Sequence, residues 1–161
     1  MAANRPPGDR DGRDQCIRVV CYARVNGTPA DQTRLLGRQW ERMRQFVRER
    51  VRWTIVGEFS DVATRRQAGP PPGLREALAE AVSGGDVFLV DSLDRVSRMT
   101  WEFAAAIEEL GSANVMLRSA AEPFTDRNPD DLPTMLACGW TGSTRAHPQA
   151  SRTSRMLRGR Q

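Results

Sequence analysis

Residues 86–98 read Asp-Val-Phe-Leu-Val-Asp-Ser-Leu-Asp-Arg-Val-Ser-Arg. The first six, Asp86 to Asp91, enclose four apolar, largely β-branched or aromatic positions between two acids. That predicts a short strand buried on both faces, the kind found inside a parallel sheet. The flanks carry helical signals. Leu74 to Val82 reads as a short helix stopped by Gly84-Gly85. Thr100 is a fair N-cap for a helix over about 101–110, with Phe103, Ile107 and Leu110 on one face and Gly111 at its end. Val115 to Leu117 then centre a further strand.

The same alternation extends towards the N-terminus. Residues 17–25, Ile-Arg-Val-Val-Cys-Tyr-Ala-Arg-Val, read as a buried strand closed by Asn26-Gly27 and Thr28-Pro29. A helix is expected over about 31–50, where Leu36, Trp40, Met43 and Val47 form one apolar stripe. Arg34, Arg38, Arg42 and Arg48 mostly avoid that stripe and read as a solvated face. Trp53 to Phe59 reads as a strand. Residues 62–73, with three consecutive prolines, are expected to hold no regular structure. Strands alternating with helices predict an α/β fold of three layers. Its sheet is expected to be mostly parallel, with four to five strands in an order of about 2-1-3-4 and helices on both faces.

The chain has 161 residues and a net charge of +4, which suits one domain. We expect a disordered arm over 1–15, the domain over 16–136 and a basic, disordered tail over 137–161. All 24 basic residues are arginine. Residues 16–50 hold eight Arg against three acids, 51–131 eight against fourteen, and 132–161 five against none. A basic tail is a plausible contact to nucleic acid, and equally a solvated end. Cys16, Cys21, Cys138 and the single His147 follow no metal-ligand spacing, so no metal site is expected and no cofactor is implied. No run of apolar residues is long enough to span a membrane, and the first fifteen residues lack a signal-peptide core, which reads as a cytoplasmic protein.

In open α/β sheets, ligands gather outside the carboxyl ends of the strands, at the switch in strand order. The first strand ends in Arg24-Val25-Asn26, and the third is followed by Asp94, Arg95 and Arg98. If these strands are neighbours, three arginines surround one carboxylate, and the surplus invites an anion, most simply a phosphate. The plainer alternative is that Asp94 caps a turn and pairs with Arg98.

These stretches resemble a known family. Tyr22-Ala23-Arg24-Val25, Val56 to Asp61, Pro72-Gly73-Leu74, Leu93-Asp94-Arg95-Val96-Ser97-Arg98 and Glu122-Pro123-Phe124 are together similar to the catalytic domain of serine recombinases, the resolvase/invertase family. The likeness spans about residues 17–136. It implies site-specific DNA recombination, in which a serine hydroxyl attacks a phosphodiester and synaptic tetramers exchange strands. It further implies that Arg24, Arg95 and Arg98 hold the scissile phosphate. Asp94 would orient them or assist proton transfer, and Gln39 would support the site by hydrogen bonding. Gln39 reads equally well as an ordinary polar residue on a solvated helix face.

The sequence departs from the family pattern in several places. Asn26 stands where the nucleophilic serine is expected, and a carboxamide is no nucleophile towards a phosphodiester. Thr28 carries a hydroxyl but lies two residues on. Thr64 and Pro71 replace a serine and an arginine, with Arg65 and Arg66 nearby. Pro133 and the run Gly139 to Gly142 oppose the long helix expected after about residue 132. No helix-turn-helix or zinc ribbon is evident. Three readings follow. The first is an inactive homologue that binds DNA weakly and salt-dependently, as a homo-oligomer or beside an active recombinase. The second is an active DNA-cleaving enzyme with another nucleophile. The third is a non-catalytic protein-interaction module.

Overall fold

The computed structural model describes residues 16–63, 70–97 and 100–122. Four strands run parallel in the order β2-β1-β3-β4: β1 (Ile17–Val25), β2 (Trp53–Val62), β3 (Val87–Val90) and β4 (Met116–Ser119). Three helices connect them: α1 (Pro29–Arg48), α2 (Pro72–Gly84) and α3 (Thr100–Ser112). A single 3-10 turn, Leu93–Arg95, follows β3. The expected strand order, parallel sheet and three layers are all present. Among the described residues no helix is long and apolar enough to cross a membrane.

Side-chain alternation along β1 divides the interior in two. Val20 and Tyr22 face α2 and α3 with Phe88, Val90, Leu74 and Phe103, while Val19, Cys21 and Ala23 face α1 with Met43, Val47, Val87 and Leu89. The α1 stripe lies where expected: Met43 and Val47 are buried, and Leu36 and Trp40 pack partly buried against them. Strand β2 is an edge strand and half-buried. A register shift at Val19/Val20 inverts its phase, so Trp53 and Ile55 pack on the α1 side and Phe59 on the other.

The element ends differ from expectation for identifiable reasons. Val62 closes β2, while Pro72 and Gly73 open α2. Residues 62–73 are therefore not wholly irregular, because proline is favoured at the first helical position. Strand β3 is confined to Val87–Val90, shorter than the 86–91 expected. Helix α3 continues past Gly111 to Ser112 and ends on Asn114, whose φ of 60° is left-handed. Val115 N bonds Leu110 O at 2.9 Å and Asn114 N bonds Gly111 O at 3.1 Å, which is a Schellman closure with asparagine in the left-handed place. The expected arm (1–15), the tail (137–161), Thr64 to Arg66 and the region after residue 132 lie outside the described residues.

Candidate functional site

Because the four strands are parallel, their carboxyl ends share one edge of the sheet. Strand β1 is hydrogen-bonded to β3, with Tyr22 opposite Val90, so the tip carrying Arg24 lies beside the exit that carries Leu93–Arg95. On its other side Arg24 stands opposite Asp61 of β2.

Helix α1 fixes the first tip. Gln39 is only 5% exposed, which removes the solvated-face reading. Its Oε1 accepts from Arg24 N at 3.1 Å and its Nε2 donates to Arg24 O at 3.0 Å. A single amide thus satisfies both backbone groups of Arg24 beyond the last β1–β3 pair, Tyr22 with Val90. The Arg24 guanidinium has no ion pair among the described residues, and its Nε is sealed from water without a hydrogen-bond partner. Asn26 follows in an exposed turn, before Gly27 with a φ of 123°. Thr28 caps α1: its Oγ1 accepts from Asp31 N and donates to Asp31 Oδ2 at 2.7 Å. That hydroxyl is therefore already engaged in the helix terminus.

Asp61 explains why the end of β2 and the Pro-Gly-Leu start of α2 occur together. Pro71 offers no side-chain cap, so the Asp61 carboxylate supplies one, accepting from Gly73 N at 3.0 Å and Leu74 N at 2.8 Å. It also accepts from Tyr22 Oη at 3.0 Å. Burial, and then the Asp61 charge, push the Tyr22 phenol well above its ordinary range. The approach is close: a Cβ on Gly73 would stand 2.7 Å from Ser60 O.

The β3 exit holds more acid than the sequence reading gathered there. Asp94 accepts from Ser92 Oγ and lies 3.3 Å from Arg95 Nη2, so within the described residues it pairs with Arg95. Arg98 lies outside them. Asp91, which the sequence reading treated only as a strand end, has a side chain 4% exposed and is bound by Arg42 of α1. Arg42 Nη2 donates to Oδ2 at 3.0 Å, and Nε stands 2.8 Å from Oδ1 as an ion pair, not a well-directed hydrogen bond. Arg42 is therefore not merely part of a solvated face, although 57% of its side chain is exposed. Burial raises the Asp91 carboxyl above the usual carboxylate range. Arg42 and Arg95 oppose that shift, and Asp94 and Glu122 reinforce it. Glu122 also accepts from Leu93 N at 3.3 Å and from Ser119 Oγ, while Ser119 Oγ reaches Asp91 O. The end of β4 is thereby tied to the turn that presents Asp94 and Arg95.

The structure therefore brings Arg24 and Gln39 together, and gathers Asp94 and Arg95 with Asp91, Arg42 and Glu122. Sequence reasoning missed Asp61, Asp91, Arg42, Ser119 and Glu122. A usable signal existed for Arg42, which lies one helical turn beyond Gln39 on α1. Among the described residues no group of acidic, histidine or cysteine side chains could hold a metal ion.

The doubly covered parallel sheet with charged groups at its strand ends defines a resolvase-like α/β domain. The family model for the resolvase N-terminal domain matches residues 19–159, and the chain belongs to that family, the serine recombinases. That match runs past residue 136, where the domain was expected to end. Among solved structures, a resolvase family site-specific recombinase from Streptococcus pneumoniae is 19% identical with a TM-score of 0.59, covering 81% of this chain and 90% of that one. The N-terminal catalytic domain of TP901-1 integrase is 15% identical with a TM-score of 0.58, covering 83% and 99%. The C-terminal catalytic domain of ISC1926 TnpA, an IS607-like serine recombinase, is 24% identical with a TM-score of 0.55, covering 75% and 77%. At these identities the likeness establishes a shared fold. Comparison with curated proteins found no match.

Proposed function

We propose that this chain is a DNA-binding serine-recombinase homologue that holds a backbone phosphate at its strand tips and does not cleave it. In this reading Arg24 and Arg95, with Arg98, face the phosphodiester, and Asp94 orients Arg95. Gln39 positions Arg24, and Asn26 stands in the nucleophile's place. The observation that carries the reading is Arg24: its backbone is held at both polar groups by Gln39, while its guanidinium has no counter-ion among the described residues. A cation fixed in place and left without an acid is suited to an oxyanion. The inactive reading is favoured over an alternative nucleophile because the Thr28 hydroxyl is committed to the α1 cap. The protein would act on DNA as a homo-oligomer or beside an active recombinase.

The test uses duplexes nicked so that a covalent intermediate is trapped. The wild-type chain is expected to bind them weakly, with affinity falling steeply as salt rises, and to form no covalent adduct. Asn26→Ser is expected to form an adduct without completing recombination. An adduct with the wild-type chain would overturn the inactive reading. Binding that is absent at low salt, or indifferent to salt, would remove the DNA contact altogether.

A further inference from the structure

A second arginine pair lies away from the strand tips, on the α1 side of the sheet. Arg50, in the turn between α1 and β2, stacks its guanidinium on Phe46 with Cζ 3.2 Å from the ring centroid, and stands 5.4 Å from the Trp53 ring. Arg118 of β4 approaches the same Phe46 ring at 6.0 Å. Two groups at those distances from one centroid are no more than about 9 Å apart. Arg118 lies between Met116 and Ala120, which pack against the α1-side core, and it is level with Leu89, below the strand tips.

No acid forms an ion pair with either member of the pair among the described residues, and Arg118 Nε is sealed from water without a partner. Burial holds the Arg50 pKa down, Arg118 adds to that, and Glu49 opposes it as the smallest of the three influences. Two like charges fixed on one aromatic platform attract an anion that can bridge them. The planar guanidinium fork suits a tetrahedral oxyanion, and one such ion reaches across roughly 8 Å between two guanidinium carbons. We propose that Arg50, Arg118 and Phe46 form a binding site for a phosphate-class oxyanion, separate from the strand-tip arginines.

The anion's source is either free phosphate or a nucleic-acid backbone, and the experiment distinguishes them. The arginine Nε–H resonances of the full chain are followed by NMR during titration with inorganic phosphate, at ionic strength held constant with chloride. Saturable movement of the Arg50 and Arg118 signals is expected, with affinity lowered at least tenfold or so in Arg118→Gln. Arg118→Lys, which keeps the charge and loses the fork, is expected to bind at an intermediate level and carries the test should Arg118→Gln fail to fold. Arg24→Gln is expected to leave the response unchanged, which separates this site from the strand tips. If a short DNA duplex moves the same signals at lower concentration than phosphate, the source is a nucleic-acid backbone; if only phosphate moves them, it is the free ion. Movement no greater than chloride alone produces, or undiminished phosphate binding by both Arg118 variants, overturns the proposal.

Discussion

Replacing Asp61 by alanine tests whether one carboxylate couples three elements. Asp61 of β2 caps α2 through Gly73 N and Leu74 N, and accepts from the phenol of Tyr22 on β1. Loss of a capping acceptor costs about 1 kcal/mol. Tyr22 is fully buried, so its hydroxyl would lose its partner away from water, adding about 1–3 kcal/mol. Asp61→Ala should therefore destabilise the domain by roughly 2–4 kcal/mol, a large share of the ~5–15 kcal/mol typical of a domain. Tyr22→Phe removes the donor together with its need, and should cost about 1 kcal/mol. In the double variant the orphaned hydroxyl no longer exists, so the combined loss should fall short of the sum by about 1 kcal/mol or more. Urea unfolding, followed by far-UV circular dichroism and tryptophan fluorescence, measures all three, provided the slope stays constant. A loss below about 1 kcal/mol for Asp61→Ala, or strict additivity, would refute the shared-cap argument.

Two glycines should respond in opposite directions to alanine. At Gly73 the new Cβ meets Ser60 O at 2.7 Å and Asp61 Oδ2 at 2.9 Å, so about 1–3 kcal/mol is lost despite better helix propensity. At Gly37 of α1 nothing lies within 4 Å, so the same change should stabilise by about 0.5–1 kcal/mol, read as a higher urea midpoint. Burial first, and then Glu58, push the Cys21 thiol up to about 12 from an ordinary 9.0. In mildly alkaline solution, peptide mass spectrometry should therefore find the exposed Cys16 alkylated and Cys21 untouched until the protein unfolds; equal rates would contradict it. Because the folded thiol holds its proton more tightly than the unfolded one, this contribution to stability is lost as pH rises from about 9 towards 12. Tyr22, raised in the same sense, adds to that loss, and a denaturation midpoint flat across the window would count against both.

Local periodicity made the sheet legible before any coordinates. The apolar runs at Val87–Val90 and Val19–Ala23, and the α1 stripe ending at Val47, each report burial through their immediate neighbours. A parallel sheet follows from the alternation of strands and helices, while the order 2-1-3-4 was expected only as the common one for such sheets. Contacts between distant residues carried no such signal. Asp61 caps a helix that begins eleven residues later, on Pro72, and Arg42 finds Asp91 at a separation of 49 residues. Neither pairing leaves a periodic trace. The ambiguity over Gln39 had the same origin. A glutamine beside an apolar stripe can face either way, and the deciding fact is the backbone of Arg24 beyond the end of the β1–β3 ladder, fifteen residues away. The extra residue in β2 was hidden too, because a bulge inverts the alternation that would have located its two faces.

The missed acids change the physical case for an anion at the strand tips. Counting arginines after β1 and β3 suggested a simple surplus of positive charge. Among the described residues Arg42 and Arg95 instead meet Asp91, Asp94 and Glu122, so the β3 exit holds no surplus of positive charge. What distinguishes the site is how those charges are committed. Asp91 is bound by Arg42, Asp94 stands against Arg95, and Glu122 is turned onto Leu93 N and Ser119. Opposite Arg24, both oxygens of Asp61 are occupied by the α2 cap and Tyr22. Each of these acids is thus held by a partner other than Arg24, whose guanidinium has no ion pair among the described residues. Gln39 and Arg42, three residues apart on α1, hold the β1 tip and the β3 exit respectively, so one helical turn sets their relative position. If the strand tips hold a phosphate as proposed, its affinity would rest on the placement of a few fixed charges, not on bulk basicity, and Arg24 is the residue whose replacement tests it.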